Sequence, residues 1–324
     1  MLLKRNNIFY LIIFFFILIF FALLFYVIQS NQCYKKTNSF VIFFKLGFKC
    51  EFTNSITLGE KIFLSKHHFS DFFRYRSSYN KNSYPCGTDK KVILLLGQSN
   101  AANNVKSYEY DKIKNFNLYN GECFLLTNPV LGSTGVKKNI SLAISNYLEN
   151  KNYIFLTHAW SGSSILDWGS DKYSYLTNFT VQQIEMNNEE LKIDYLIWIH
   201  GETDSALFKK LDIDQGPAFY QKYGKNKFYY EAFKIMYSNL KKYFNKNTQI
   251  ILTSSSICKS SSARFINDQQ NLIANLGNNF HIINETDSLD NSHRYDGCHL
   301  NKLGVDITAK SIASIINKIE KNYK

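Results

Sequence analysis

The sequence predicts an α/β fold: a three-layer α/β/α domain around a five-stranded parallel sheet, preceded by one N-terminal transmembrane helix. Three observations predict it. Five short apolar runs are separated by segments of helical periodicity. Glycines and polar residues gather just after several of those runs. An unbroken apolar stretch stands apart at the N-terminus.

That stretch comes first. From Ile8 to Ile28 every residue is apolar or aromatic, a length that matches the bilayer hydrocarbon when helical. Lys4 and Arg5 precede it, and no small-x-small cleavage pattern follows between Tyr26 and Gln32. It therefore reads as an uncleaved signal anchor, against the alternative of a long secretory segment that is removed. Lys35 and Lys36 lie beyond the span and compete with Lys4 and Arg5 in setting its direction. The expected organisation is residues 1–30 as signal anchor (transmembrane 8–28), 31–84 as juxtamembrane linker or small subdomain, and 85–324 as the α/β domain.

Within that domain Val92–Leu96, Tyr153–Thr157, Tyr195–Ile199, Ile250–Thr253 and Phe280–Ile283 have the length and content of buried strands. Between and after them run apolar stripes at helical spacing: Ile140, Ile144, Tyr147 and Leu148; Tyr229, Phe233, Met236, Leu240 and Phe244; Phe265, Ile266, Leu272, Ile273 and Leu276; and Ile312, Ile315, Ile316 and Ile319. Thr180–Leu191 is a weaker helical segment. Strand and helix in alternation imply crossover connections and a sheet covered on both faces.

Charge and cysteines bound the surroundings. The net charge is +12 in 324 residues, spread along the chain rather than clustered. Such a surface could attract anionic lipid, nucleic acid or acidic glycan, but no nucleic-acid motif of defined spacing is present, so no nucleic-acid partner is expected. The six cysteines form no Cys-x-x-Cys pair, which suits disulfides outside the cytoplasm better than a zinc site. A short cytoplasmic N-terminus and an extracytoplasmic domain follow as the expected placement. Cys258 follows the fourth run and Cys298 lies in the last polar block, so these two are one candidate disulfide; Cys86 and Cys123 are a second.

The chemistry sits after the strands, where open α/β sheets bind their ligands. Gly97-Gln98-Ser99-Asn100 directly follows the first run, and Asp296-Gly297-Cys298-His299 lies near the C-terminus. A serine needs a base to become a nucleophile, and the base needs a partner that fixes its tautomer. Asp296 and His299, three residues apart, can supply both to Ser99. His158-Ala159-Trp160-Ser161-Gly162 follows the second run and His200-Gly201-Glu202-Thr203-Asp204 the third. Glycine N–H groups there can bond the oxyanion of a tetrahedral intermediate. Each block alone has a plainer reading, such as a turn glycine or a packed histidine.

Together these blocks resemble the SGNH-hydrolase superfamily, whose fold is flavodoxin-like, and in particular its carbohydrate-esterase branch related to sialate O-acetylesterases and acetylxylan esterases. The resemblance covers about residues 85–320. It implies Ser99 as nucleophile, His299 as base and Asp296 as its orienting carboxylate. It also implies an oxyanion hole from Ser99, Gly162 and His200, with Gln98, Asn100 and Glu202 in support. No cofactor and no metal are implied. His200 stands where relatives commonly carry glutamine, which puts the third oxyanion contact in doubt and suggests a pH dependence. Ala101 takes the place of the second glycine of a Gly-x-Ser-x-Gly elbow, setting α/β-hydrolases aside. A metal site from His158, His200 and His299 lacks ligand spacing.

The expected activity is that of a membrane-anchored serine esterase releasing O-acetyl or other small acyl groups from an O-acylated carbohydrate. An O-acyltransferase acting on surface glycan, and a non-catalytic glycan-binding envelope protein, are the alternatives. Trp160, Trp168 and Tyr173 could stack on a sugar face or belong to the core, and Trp198 reads as core.

Overall fold

The structure is a computed structural model. It describes residues 82–322 except 88, 111–113, 151, 171–173, 187–190, 209–217 and 259–263. The expected anchor at 8–28 and nearly all of 31–84 lie outside the described residues. Among the described residues no helix is long and apolar enough to cross a membrane.

The sheet has seven strands, not five, and it is mixed. They are β1 (Lys91–Gly97), β2 (Phe116–Tyr119), β3 (Glu122–Leu125), β4 (Tyr153–Ala159), β5 (Ile193–Ile199), β6 (Phe244–Thr253) and β7 (Phe280–Ile283), in the order β3-β2-β4-β1-β5-β6-β7. All five runs read from the sequence are strands, and they pair in parallel as β4-β1-β5-β6-β7. The additional pair is a hairpin, with β2 parallel to β4 and antiparallel to β3. Its strands are four residues each and do not read as apolar runs, because Asn117 interrupts the first and Glu122 opens the second. Asn117 tolerates burial by accepting from the Leu131 N–H at 2.8 Å and donating to the Phe155 carbonyl at 3.2 Å.

Seven helices cover the sheet: α1 (Ile140–Tyr147), α2 (Tyr175–Glu185), α3 (Glu202–Phe208), α4 (Ala218–Tyr223), α5 (Phe228–Leu240), α6 (Arg264–Ala274) and α7 (Lys302–Asn322), counting described residues only. Ile140 and Ile144 of α1, and Val305, Ile312 and Ile316 of α7, share one buried cluster with Ile93, Leu95 and Ile197. The alternate side chains of β1 and β5 face the other layer, where Trp198 meets Phe233 of α5. Helix α6 departs from its expected stripe. Leu272 and Leu276 are exposed, and the buried face is Ile266, Asn267, Gln269, Gln270 and Ile273. Gln270 explains the polarity: its amide donates to the His200 carbonyl at 2.8 Å and accepts from the Ser255 N–H at 2.8 Å, satisfying the ends of β5 and β6. Phe244, the last member of the α5 stripe, instead opens β6. Helix α2 begins at Tyr175, ahead of the expected segment.

Two disulfides tie loops to this frame. Cys86 joins Cys123 of β3, and Cys258, just past β6, joins Cys298, with Cα atoms 5.1 and 4.1 Å apart.

Candidate active site

Four loops meet at the carboxyl ends of β1, β4, β5 and β6, joined there by the C-terminal block. Ser99 sits, largely buried, in the tight turn after β1, where the Ala101 and Ala102 N–H groups both donate to the Gln98 carbonyl at 2.9 Å. Its neighbours on either side reach the other loops. Asn100 Oδ1 accepts from the Leu300 N–H at 3.1 Å, which fastens the residue after His299 to the residue after Ser99. Gln98 Nε2 donates to Glu202 Oε2 at 2.5 Å, while its Oε1 accepts from the Thr203 N–H at 3.2 Å. That N–H lies in the first turn of α3, where the helix itself offers no acceptor.

His299 and Asp296 are paired. The imidazole Nδ1 stands 2.6 Å from Asp296 Oδ2, and Asp296 Oδ1 accepts from the backbone N–H of His299 at 2.8 Å and of Cys298 at 3.1 Å. Burial pushes the Asp296 carboxyl up, but the bonds from the His299 ring and these two N–H groups outweigh it and hold it down at about 2. The carboxylate is therefore ionised at neutral pH and fixes the ring by Nδ1, leaving Nε2 free to act as a base.

Glu202, buried, is held by three donors: Gln98 at 2.5 Å, and Asn100 Nδ2 and Ser256 Oγ at 3.3 Å each. Ser256 in turn accepts from Arg294 Nη2, and Arg294 Nη1 donates to the Cys298 carbonyl. The carboxylate of the β5 loop is thereby linked to the turn after β1, the loop after β6 and the His299 loop. Arg294 is 5% exposed, and sequence reasoning missed it. Burial lowers its pKa, while the charges of Glu202, Asp296 and Asp290 favour the cation. An arginine two residues before Asp296 carries no local signal, because only tertiary partners decide that it is buried.

The Gly162 loop is positioned from two sides. Asp204, in α3, accepts from Ser164 Oγ at 2.6 Å and from the Ile165 N–H at 3.0 Å. Asn104 Nδ2 donates to Ser161 Oγ from the β1 side. Gly162 has φ +74°, a left-handed conformation that L side chains rarely adopt, and open space stands where a Cβ would be.

His200 is not placed as expected. Its side chain is wholly buried, stacked on Trp198 with ring centroids 4.6 Å apart, and its Nδ1 lies 3.2 Å from Tyr229 Oη and 3.6 Å from Asp204. A ring enclosed on all sides offers no nitrogen to a substrate oxygen. Burial also pushes it down to about 3, so it stays neutral and brings no pH dependence near neutrality. His158 is likewise buried, against Thr180 and Phe179. Trp160, Trp168 and Trp198 are all fully buried, which leaves none of them for a sugar face, and Tyr173 lies outside the described residues. A cavity of about 690 Å³ opens at the other end of the sheet, lined by Lys91, Asp194 and Asn245 among others, and no histidine lines it.

No family model and no curated protein matches the sequence. Solved structures do. A protein from Arabidopsis thaliana is similar over 70% of this chain and 97% of its own, with a TM-score of 0.52 and 16% identity. An acetylxylan esterase from Geobacillus stearothermophilus covers 69% of this chain and 93% of its own, with a TM-score of 0.44 and 11% identity. A carbohydrate acetylesterase from Xanthomonas citri covers 69% and 55%, with a TM-score of 0.44 and 13% identity. At these identities the likeness is one of fold.

Proposed function

We propose that this chain is a membrane-anchored serine esterase that removes O-acetyl or other small acyl groups from carbohydrate. One observation carries the reading: a carboxylate–imidazole pair at 2.6 Å rides on a loop whose next residue is hydrogen-bonded to the residue after Ser99. The catalytic domain is extracytoplasmic in this reading, in keeping with its two disulfides.

Ser99 Oγ attacks the ester carbonyl while His299 Nε2 takes the hydroxyl proton. The tetrahedral oxyanion is met by the backbone N–H groups of Ser99 and Gly162. The imidazolium, stabilised by Asp296, returns the proton to the departing sugar oxygen, leaving the acyl group on Ser99. Water then attacks the acyl-enzyme and gives a proton to His299; the bond from Ser99 Oγ to the acyl carbon breaks, the imidazolium returns that proton to Oγ, and the carboxylic acid leaves. His200 packs beneath this site instead of donating to it. The His299 side chain is 25% exposed, which leaves a path for water to the intermediate.

The test is acetate release by the full chain from a panel of acetylated oligosaccharides, beside Ser99→Ala. Release by the native chain and a loss of about 10³-fold or more in the variant is expected. Equal release by both contradicts the reading.

A further inference from the structure

Beside the candidate base the surface carries positive charge that no carboxylate there answers. The Tyr295 ring stacks on His299, with centroids 5.8 Å apart and planes 21° apart. Two ammonium groups stand over that one ring, Lys137 Nζ at 4.0 Å and Lys106 Nζ at 4.6 Å from its centre. Both lysines are exposed, and among the described residues neither pairs with a carboxylate. Lys138, next in the chain, is by contrast taken by Glu109.

This patch is built into the site's loops. Lys137 Nζ donates to Tyr295 Oη at 2.6 Å, and that hydroxyl donates to the Asn104 carbonyl at 2.7 Å. The Asn104 amide reaches Ser161, the residue before Gly162. Lys106 arrives from another direction, its N–H donating to the carbonyl of Leu300, the residue after His299, at 3.0 Å. The face of the Tyr295 ring draws both cations together, and an anion between or beside them relieves the repulsion that this convergence costs.

We propose that Lys106 and Lys137 form an anion subsite, and that the substrate carries a carboxylate or phosphate close to the ester it presents to Ser99. The proposal rests on the esterase reading above. The test titrates the full chain carrying Ser99→Ala with three probes: acetylated methyl glucoside, acetylated methyl glucuronide and acetylated methyl glucoside 6-phosphate. Calorimetry is expected to show an anionic probe binding about tenfold more tightly than the neutral one, less so at high salt. Which anionic probe wins identifies the anion. Adding Lys106→Gln with Lys137→Gln removes the preference, and Lys321→Gln, remote and paired with Glu149, retains it. Equal binding of all three probes, or a preference that survives the double substitution, overturns the subsite. Phenyl acetate hydrolysis by the native chain separates the two claims. No hydrolysis with the anion preference intact removes the esterase and keeps the subsite; hydrolysis without the preference does the reverse.

Discussion

Glu202 accepts from three side chains drawn from two loops, and a carboxylate is the only side chain that can accept from all three without also donating. Glu202→Gln turns one acceptor into a donor facing another donor. The expected cost is about 2–3 kcal/mol, read from urea unfolding, and an unchanged midpoint contradicts the described network. Asp204 gives a prediction in pH. Burial pushes its carboxyl from 3.8 up to about 7, and burial likewise raises Asp167 to about 6. Between the unfolded and folded values the native chain holds protons that the unfolded chain has released, so stability falls as pH rises through about 4 to 7. Thermal unfolding across that range is expected to show the decline, and Asp204→Asn to flatten it. At this scale the proposed triad of Ser99, Asp296 and His299 is legible in the sequence because the chemistry proposed for it demands those residue types. Arg294 is not, since an arginine is buried only when distant partners receive it. His200 is legible as a member of its block, but its direction is set by Trp198 and Tyr229, which no spacing reveals.

The β2–β3 hairpin is where periodicity falls short and turn chemistry succeeds. Asn120-Gly121 joins the two strands with φ +50° and +77°, the two-residue turn whose twist suits a hairpin. That dipeptide is a readable signal even where four-residue strands are not. Gly121→Ala forces a side chain into a left-handed conformation and sets its Cβ 3.0 Å from the Met186 carbonyl oxygen. A loss of about 1–2 kcal/mol in denaturant unfolding is expected; no loss contradicts the turn assignment. Helix α6 teaches the complementary lesson. Its buried glutamines look like a solvated face in the sequence and serve as hydrogen-bond partners for strand ends and loops in the fold. The Cys258–Cys298 bridge spans a sequence separation of 40, and replacing both cysteines by serine is expected to cost about 2–4 kcal/mol under oxidising conditions. An unaltered melting temperature contradicts a structural bridge at that position.

Across the whole molecule, the parallel direction of five strands follows from alternation, because each crossover helix returns the chain to start the next strand from the same end; their order, β4-β1-β5-β6-β7, is seen only in the fold. The site follows from the same order. Strands β1, β4, β5 and β6 end at one edge, so polar blocks scattered over 200 residues of chain become neighbours there. Exposure is what the sequence conveys least: Trp160 and Trp168, which the sequence leaves open between a sugar face and the core, are in the core, while Tyr295, Lys106 and Lys137 are placed beside the candidate site. The central claim is that Ser99 is a nucleophile activated by His299. Its most direct test is labelling of the full chain with a fluorophosphonate probe, followed by mass mapping of the adduct. An adduct on Ser99 that forms at least about 10²-fold more slowly in His299→Ala is the expected result. No adduct, or one on another serine at an undiminished rate, contradicts it.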